Sequence, residues 1–599
     1  MNLSIASGKG GTGKTTVSIN LAAVAQQFFS NITLLDCDVE APDCQLFLDQ
    51  EISLKSSDVV VKTPKILIEN CSNCGKCVKN CHYNALAKVN DSIIIFEELC
   101  HSCGMCSMVC RDTAITKENR KIGKIHNTKI ADKGFNFANG DLNVGEVLTT
   151  KVIAQLKEDF CDSNINSLNI IDCPPGTSCP AVESFLDTDK VILVTEPTPF
   201  GLNDLKLAIN LTAELKLPVA IVINKSDGID TIIEEYAKEI SVPIIGRIPF
   251  KKDYAKAYSA GKILVEEFSE VKGIFCDIIQ KIPKINTVAN ISNKKIKKQF
   301  FHHAFTSANS ENFQEITILS GKGGTGKTTV TASFAALAKN SVIADTDVDA
   351  ANMHLMNNAK LIEQKDFFSG LSCQIDQDKC LQCGKCIQFC QFDAIENNNN
   401  NQFKINNLKC DGCGVCEYIC KSNAIITREN LTGTTKLSAT DYGPLIHANL
   451  NTAEDNTGKL VTEVRKQATQ LAKFLQQKYL IVDGPPGIGC PVIASLTNSN
   501  CVVLVTEPTV SGIHDLERII KLCKHFELLT YIIINKADIN IEKAIELKKL
   551  AKIYSIEVIA EIPFDRNISK LLTQGKTPMH DKNNPIAKVL TKAWKTIIK

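Results

Sequence analysis

Residues Gly8 to Thr16 read GKGGTGKTT, and residues Gly321 to Thr329 repeat the same nine letters. Each stretch fits G-x-x-x-x-G-K-[ST], a phosphate-binding loop when it joins a strand to a helix. Each follows an apolar run (Leu3 to Ala6; Ile316 to Leu319) and precedes a helix-like one (Val17 to Ala25; Val330 to Ala338). The chemistry is that of a polyphosphate. Backbone N–H groups of Gly8, Gly10, Gly11, Thr12 and Gly13 can curl around phosphate oxygens, with the positive end of the helix behind them. Gly321, Gly323, Gly324, Thr325 and Gly326 offer the same in the second copy. Lys14 and Lys327 would neutralise the β- and γ-phosphates, and Thr15 and Thr328 would hold Mg²⁺, with Thr16 and Thr329 closing each loop.

Cysteine supplies the second chemistry. The chain has 26, many in tight runs that suggest metal rather than disulfides. Cys71, Cys74, Cys77 and Cys81 form C-x2-C-x2-C-x3-C, and so do Cys100, Cys103, Cys106 and Cys110. The pattern returns at Cys380, Cys383, Cys386 and Cys390, and at Cys410, Cys413, Cys416 and Cys420. The first three thiolates of such a run wrap one 4Fe-4S cubane, and the fourth ligates the neighbouring cluster. The expected sets are therefore Cys71, Cys74, Cys77 with Cys110, and Cys100, Cys103, Cys106 with Cys81. The second region should use Cys380, Cys383, Cys386 with Cys420, and Cys410, Cys413, Cys416 with Cys390. Zinc prefers C-x2-C pairs separated by a longer loop, which fits these runs poorly. His82, Arg111, Gln391 and Lys421 stand where a ferredoxin run usually has proline. Of the other cysteines, Cys179 and Cys490 recur at one place, three residues after a Pro-Pro-Gly, and are candidates for a substrate or metal site. Cys37, Cys44, Cys161, Cys276, Cys373, Cys501 and Cys523 lack a counterpart, Cys173 faces Gly484, and all eight are read as structural.

The elements that position these groups occur twice. Asp36-Cys37-Asp38 pairs with Asp345-Thr346-Asp347, Asp172 to Gly176 with Asp483 to Gly487, and Asn224-Lys225 with Asn535-Lys536. Apolar β-branched runs alternate with helical patterns, as in Ile32 to Leu35, Leu168 to Ile171, Val191 to Val194 and Val219 to Ile223. The second copy does so at Val342 to Ala344, Tyr479 to Val482, Val502 to Val505 and Tyr531 to Ile534. Such strands predict an α/β fold with a mostly parallel sheet covered on both faces. The predicted domains are 1–61 with 119–283, a first cysteine-rich insert at 62–118, a linker at 284–313, then 314–370 with 428–599 and a second insert at 371–427. The linker carries Lys294 to Lys298 and Phe300 to His303; Asn397 to Asn401 reads as a loop. The amphipathic end, Pro585 to Lys599, is predicted to close the core as Val271 to Ile282 does in the first copy. At 44% hydrophobic, with net charge +1 and no apolar run near 18 residues, the 599-residue chain offers no case for nucleic acid or stable membrane insertion. The first strand begins almost at once, so no signal peptide is expected.

The extra lysines, Lys9 and Lys322, make each loop K-G-G-T-G-K-T-T. This resembles the deviant Walker A loop of the MinD/Mrp family of P-loop ATPases, and the inserts resemble bacterial two-cluster ferredoxins. The resemblance implies that Lys9 and Lys322 each reach the nucleotide of the other half in an intramolecular pseudo-dimer. It makes Asp38 and Asp347 the switch I residues that orient water or Mg²⁺, Asp172 and Asp483 the Walker B carboxylates, and each Pro-Pro-Gly a switch II. It implies ATP, with Asn224 and Asn535 reading the adenine. Asn224 to Asp227 and Asn535 to Asp538 also fit N-K-x-D, which leaves GTP as the alternative. The expected cofactors are ATP, Mg²⁺ and four 4Fe-4S clusters, in a cytoplasmic protein. The expected function is ATP-driven closure coupled to electron transfer toward a redox partner or metalloprotein client. The alternatives are assembly or delivery of a cluster or metal, and a redox-sensing positioning ATPase. Lys459 against Glu146 reverses a charge after the insert, so the halves are not expected to do identical work.

Overall fold

The computed structural model describes residues 1–290 and 313–599 apart from 49–53, 91, 131–132, 163, 165, 357, 399–401, 453, 455–456 and 582. The apolar runs build two nine-stranded sheets, one per repeat. Across the first, the order is Ile244–Pro249, Val219–Ser226, Lys190–Thr195, Asn2–Ala6, Ser167–Asp172, Asn31–Asp36, Phe135–Leu142, Ile115–Ile130 and Lys55–Ile66. The first seven are parallel and the last two antiparallel. The second sheet repeats this order from Glu557–Ile562 to Lys360–Ile375. Helices pack on both faces. In the first half one apolar core holds Val17, Leu21, Phe275 and Ile278, and the other holds Val152, Phe185, Ile209 and Ile233.

Parallel pairing brings strand ends to one edge, where such sheets bind ligands. Asp36 lies in register with Asp172, and Asp345 with Asp483; the strands of Asp172 and Asp483 lie beside the one that feeds each loop, and those of Asp36 and Asp345 lie next but one. The antiparallel edge strands were not foreseen. Lys55–Ile66 is mostly exposed and contains Pro64, so its pattern does not alternate as a half-buried strand should. Lys55–Ile66 and Ile115–Ile130 pair with each other, and beyond Gly123 the ribbon they form outruns the neighbouring strand. The boundaries read from sequence, 62 and 118, fall inside these two strands, and 371 and 427 fall inside Lys360–Ile375 and Ile425–Thr440. Each cysteine-rich insert sits at the tip of a ribbon and adds one small hairpin, Leu86–Val89 with Ser92–Ile95, or Ile395–Asn397 with Phe403–Ile405. Asn397, expected in a loop, is the last residue of its strand.

Residues 291–312 of the expected linker, with Lys294 to Lys298 and Phe300 to His303, lie outside the described residues. Its described start runs along the sheet, where Val219 N donates to Thr287 O at 2.9 Å. The terminal helix Pro585–Ile597 buries Ile586, Leu590, Trp594 and Ile597 in the second core, with Trp594 against Phe334 and Tyr479 at 5.4 and 5.2 Å. Its counterpart Ser269–Lys281 buries Val271, Phe275 and Ile278. Replacing Trp594 by alanine should cost about 3–5 kcal/mol, read as a lower denaturant midpoint at unchanged slope. Among the described residues no helix is long and apolar enough to cross a membrane.

Candidate nucleotide and cluster sites

Each loop turns into its helix through a left-handed glycine, Gly13 at φ 97° and Gly326 at φ 91°, with no side chain capping the helix start. A Cβ on Gly13 would lie 2.1 Å from Asn224 Nδ2. That amide donates to Thr12 O at 2.7 Å, as Asn535 does to Thr325 O at 2.8 Å. Both asparagines therefore brace the loops. Lys225 adds a bond to Gly11 O at 3.0 Å and pairs with Glu196; Lys536 pairs with Glu507. The N-K-x-D aspartates each accept one backbone N–H. Asp227 accepts from Ile229 N, and Asp538 accepts from Phe564 N at 2.6 Å.

Asp172 accepts from Thr15 Oγ1 at 2.8 Å and Ser18 Oγ at 2.9 Å; Asp483 accepts from Thr328 and Thr331, both at 2.8 Å. A hydroxyl and a carboxylate so placed beside Lys14 or Lys327 form a donor set suited to Mg²⁺. Lys327 Nζ is 3.3 Å from Asp483 Oδ1. Two fully buried carboxylates, Asp36 and Asp345, were read only as landmarks. They shape switch I: Asp36 accepts from Cys44 N and Asp38 N, Asp345 from Asn352 N and Met353 N. Burial raises Asp38 to about 7 against the pull of Lys14, and raises Asp345 to about 7 with help from Asp483.

The halves meet at the loops. A Cβ on Gly11 would lie 2.4 Å from Gly324 Cα, so only glycine allows this approach. Lys9 Nζ lies 2.9 Å from Asp347 Oδ2 and 3.0 Å from Ala350 O, both in the other half. Burial opposes its charge, yet Asp347 and then Asp204 hold it above the ordinary lysine range. Lys322 also crosses over, but to Asp43. The second half has Asn352 at that place, bonded to Asn203 and Asp204 at 3.1 and 3.3 Å. Asp43 was missed in sequence, where nothing but this unequal pairing marks it. Arg518 Nη1 donates to Glu40 O at 2.5 Å, and Phe250 stacks on Phe564 at 5.6 Å. The first loop, Gly321 to Thr325 of the second, Asp38, Asp347, Cys179 and Cys490 line one cavity of about 1460 Å³. A single small-molecule site spans roughly 300–1,000 Å³, so this space exceeds one such site; Lys14 and Thr15 line it, and Lys327 and Thr328 do not. Glu146 is buried against Arg120 and Lys459 is exposed, so the reversed charge sits in two different environments.

In the first insert Cys71, Cys74, Cys77 and Cys110 line one small cavity. Cys81 and Cys103 neighbour Cys100 and Cys106. Three thiols of one run with the last of the other is the donor set a cubane needs. In the second insert Cys380, Cys386, Cys390, Cys410, Cys416 and Cys420 pack as one group. Cys373, read as structural, belongs to it: its thiol is within hydrogen-bonding reach of Cys410 and Cys416. Cys44, also read as structural, touches Asp172 with Sγ 3.5 Å from Oδ2.

The chain is 33% identical over 286 residues to an uncharacterised protein of Methanocaldococcus jannaschii, covering 47% of this chain and 96% of that one. It is 23% identical over 300 residues to a protein named iron–sulfur cluster carrier protein in Pyrococcus horikoshii, covering 47% and 84%. Among solved structures, the MinD cell division protein of Aquifex aeolicus matches 48% of this chain and 97% of its own, at 17% identity and a TM-score of 0.28. The sequence family described as the CobQ/CobB/MinD/ParA nucleotide binding domain matches twice, over residues 3–265 and 316–579, and the chain belongs to that family.

Proposed function

We propose that the chain is an ATP-hydrolysing iron–sulfur protein in which nucleotide draws the two halves together and closure governs electron transfer through four 4Fe-4S clusters. The observation that carries this reading is the cavity lined by Cys71, Cys74, Cys77 and Cys110, a complete thiolate set drawn from both runs of one insert. Fully liganded clusters are retained and exchange electrons, whereas cargo sites are under-liganded and labile. The nucleotide is ATP, with Asn224 and Asn535, braced against Thr12 O and Thr325 O, placed beside the loops to read the adenine. Mg²⁺ would sit between Thr15 and Asp172, and between Thr328 and Asp483. The partner is a redox protein or metalloprotein client.

The test is an anaerobic redox titration followed by EPR, with and without Mg-ATP, on protein whose iron has been counted. About sixteen irons per chain with potentials that move on Mg-ATP is the expected result. Near-zero iron in folded protein overturns it. A second reading, delivery of a cluster or metal, has two supports: Cys179 and Cys490 line the nucleotide cavity, and one relative is named as a carrier. It requires unmoved potentials and ATP-dependent loss of iron to an apo-acceptor.

Cys373 gives a further prediction. Its thiol lies within hydrogen-bonding reach of the ligand candidates Cys410 and Cys416. A donor to ligand sulfur favours the reduced cluster. If that bond is worth ~1 kcal/mol more after reduction, Cys373→Ala should lower one potential by about 40 mV while iron stays constant.

A further inference from the structure

The two inserts touch each other. Asp411, between the ligand candidates Cys410 and Cys413, accepts from Tyr83 Oη at 2.6 Å, and its backbone oxygen accepts from the same hydroxyl at 3.0 Å. His101 Nδ1 lies 2.8 Å from the same carboxylate oxygen, and the His101 and Tyr83 rings stack at 3.9 Å. All three side chains are largely removed from water. Beside this clamp Cys413 and Val415 of the second insert pack among Met105, Val109, Cys103 and Cys106 of the first. The Cys103 and Cys413 thiols come within hydrogen-bonding reach. Each belongs to the inner cysteine set of its insert. Cys74 and Cys383, in the outer sets, are exposed. Lys151 of the first half donates to Gln391 O of the second insert at 2.8 Å, so the contact is also tied to an ATPase body.

We propose that this clamp joins the four cluster sites into one conducting chain, open to partners at Cys74 and Cys383 and crossing between halves at Cys103 and Cys413. The proposal rests on the iron–sulfur reading above. One electron from a low-potential one-electron donor enters an outer cluster and moves inward; each transfer oxidises one cluster and reduces its neighbour by one unit. No bond forms or breaks. Tyr83, His101 and Asp411 are positioning residues: they hold the inner thiols adjacent without being ligands. A chain with inserts facing apart would have two separate pairs of clusters instead.

The test removes the outer clusters so that any remaining magnetic interaction must cross the clamp. The full chain carrying Cys71→Ala, Cys74→Ala, Cys380→Ala and Cys383→Ala is reconstituted anaerobically and reduced with dithionite. Iron should fall to about eight per chain, with an EPR signal broadened by coupling between two reduced inner clusters. Adding Asp411→Ala, or the milder Tyr83→Phe, should leave iron at about eight and abolish the broadening. Absence of coupling in the eight-iron protein, or coupling that survives both substitutions, overturns the chain. Should the eight-iron protein lose its clusters, Tyr83→Phe is compared with the sixteen-iron protein, and an unchanged spectrum overturns it. Near-zero iron in the unaltered chain is a separate result, which removes the iron–sulfur reading itself.

Discussion

Replacing Lys9 by alanine is expected to leave nucleotide bound at both loops and to slow hydrolysis at the second by about 100-fold, the usual loss when one preorganised cation or donor is removed from a developing charge. Lys9 is on the first loop, yet its ammonium lies 2.9 Å from Asp347 in the second half. It touches the carboxylate that would orient attacking water, so its charge falls on the reacting groups and not on the bound ground state alone. Single-turnover phosphate release in a Lys14→Ala background isolates that site. An unchanged rate there means that the halves do not complete each other. Lys322→Ala should act on the first site, with a different size of effect, because Lys322 must leave Asp43 before it can reach a phosphate.

Lys14→Ala and Lys327→Ala should each remove one nucleotide of two. Lys327 is buried with Asp483, and Lys14 is buried beside Thr15 and Asp172. Without the ammonium, the phosphates would face buried carboxylates with a cation missing. Truncating one member of a desolvated charge pair costs roughly 2–5 kcal/mol, or about 30- to 5,000-fold in Kd. Equilibrium binding of Mg-ATP should give one site per chain for either variant and none for the double. Loss of both sites in a single variant would mean that the halves bind only together.

The loops, the strands that feed them and the carboxylates beside them were legible because the motif constrains neighbours in sequence. Thr15 meets Asp172, and Asn224 meets the loop at Thr12 O. Asp43, Cys44 and Cys373 were not legible, since each acts through a partner far away in the chain and in no fixed spacing. The edge strands were missed because Lys55–Ile66 shows most of its residues to water, leaving little apolar pattern to read. The meeting of Tyr83 with Asp411 joins residues 328 apart and has no trace in either insert alone.

The ribbons that carry the inserts act as lever arms. Past Gly123 the pairing of Val60 to Ile66 with Ile115 to Lys121 continues with no third strand beside it for about seven residues, or ~23 Å of strand, and Arg120 ties it to Glu146 near its root. A rotation of about 10° at its root, modest for a hinge between domains, moves the tip by about 4 Å. A hydrogen bond of 2.6 Å, like that from Tyr83 to Asp411, does not survive such a displacement. A turn of that size at the root, too slight to disturb the packed cores, would therefore make or break a contact far from the phosphates.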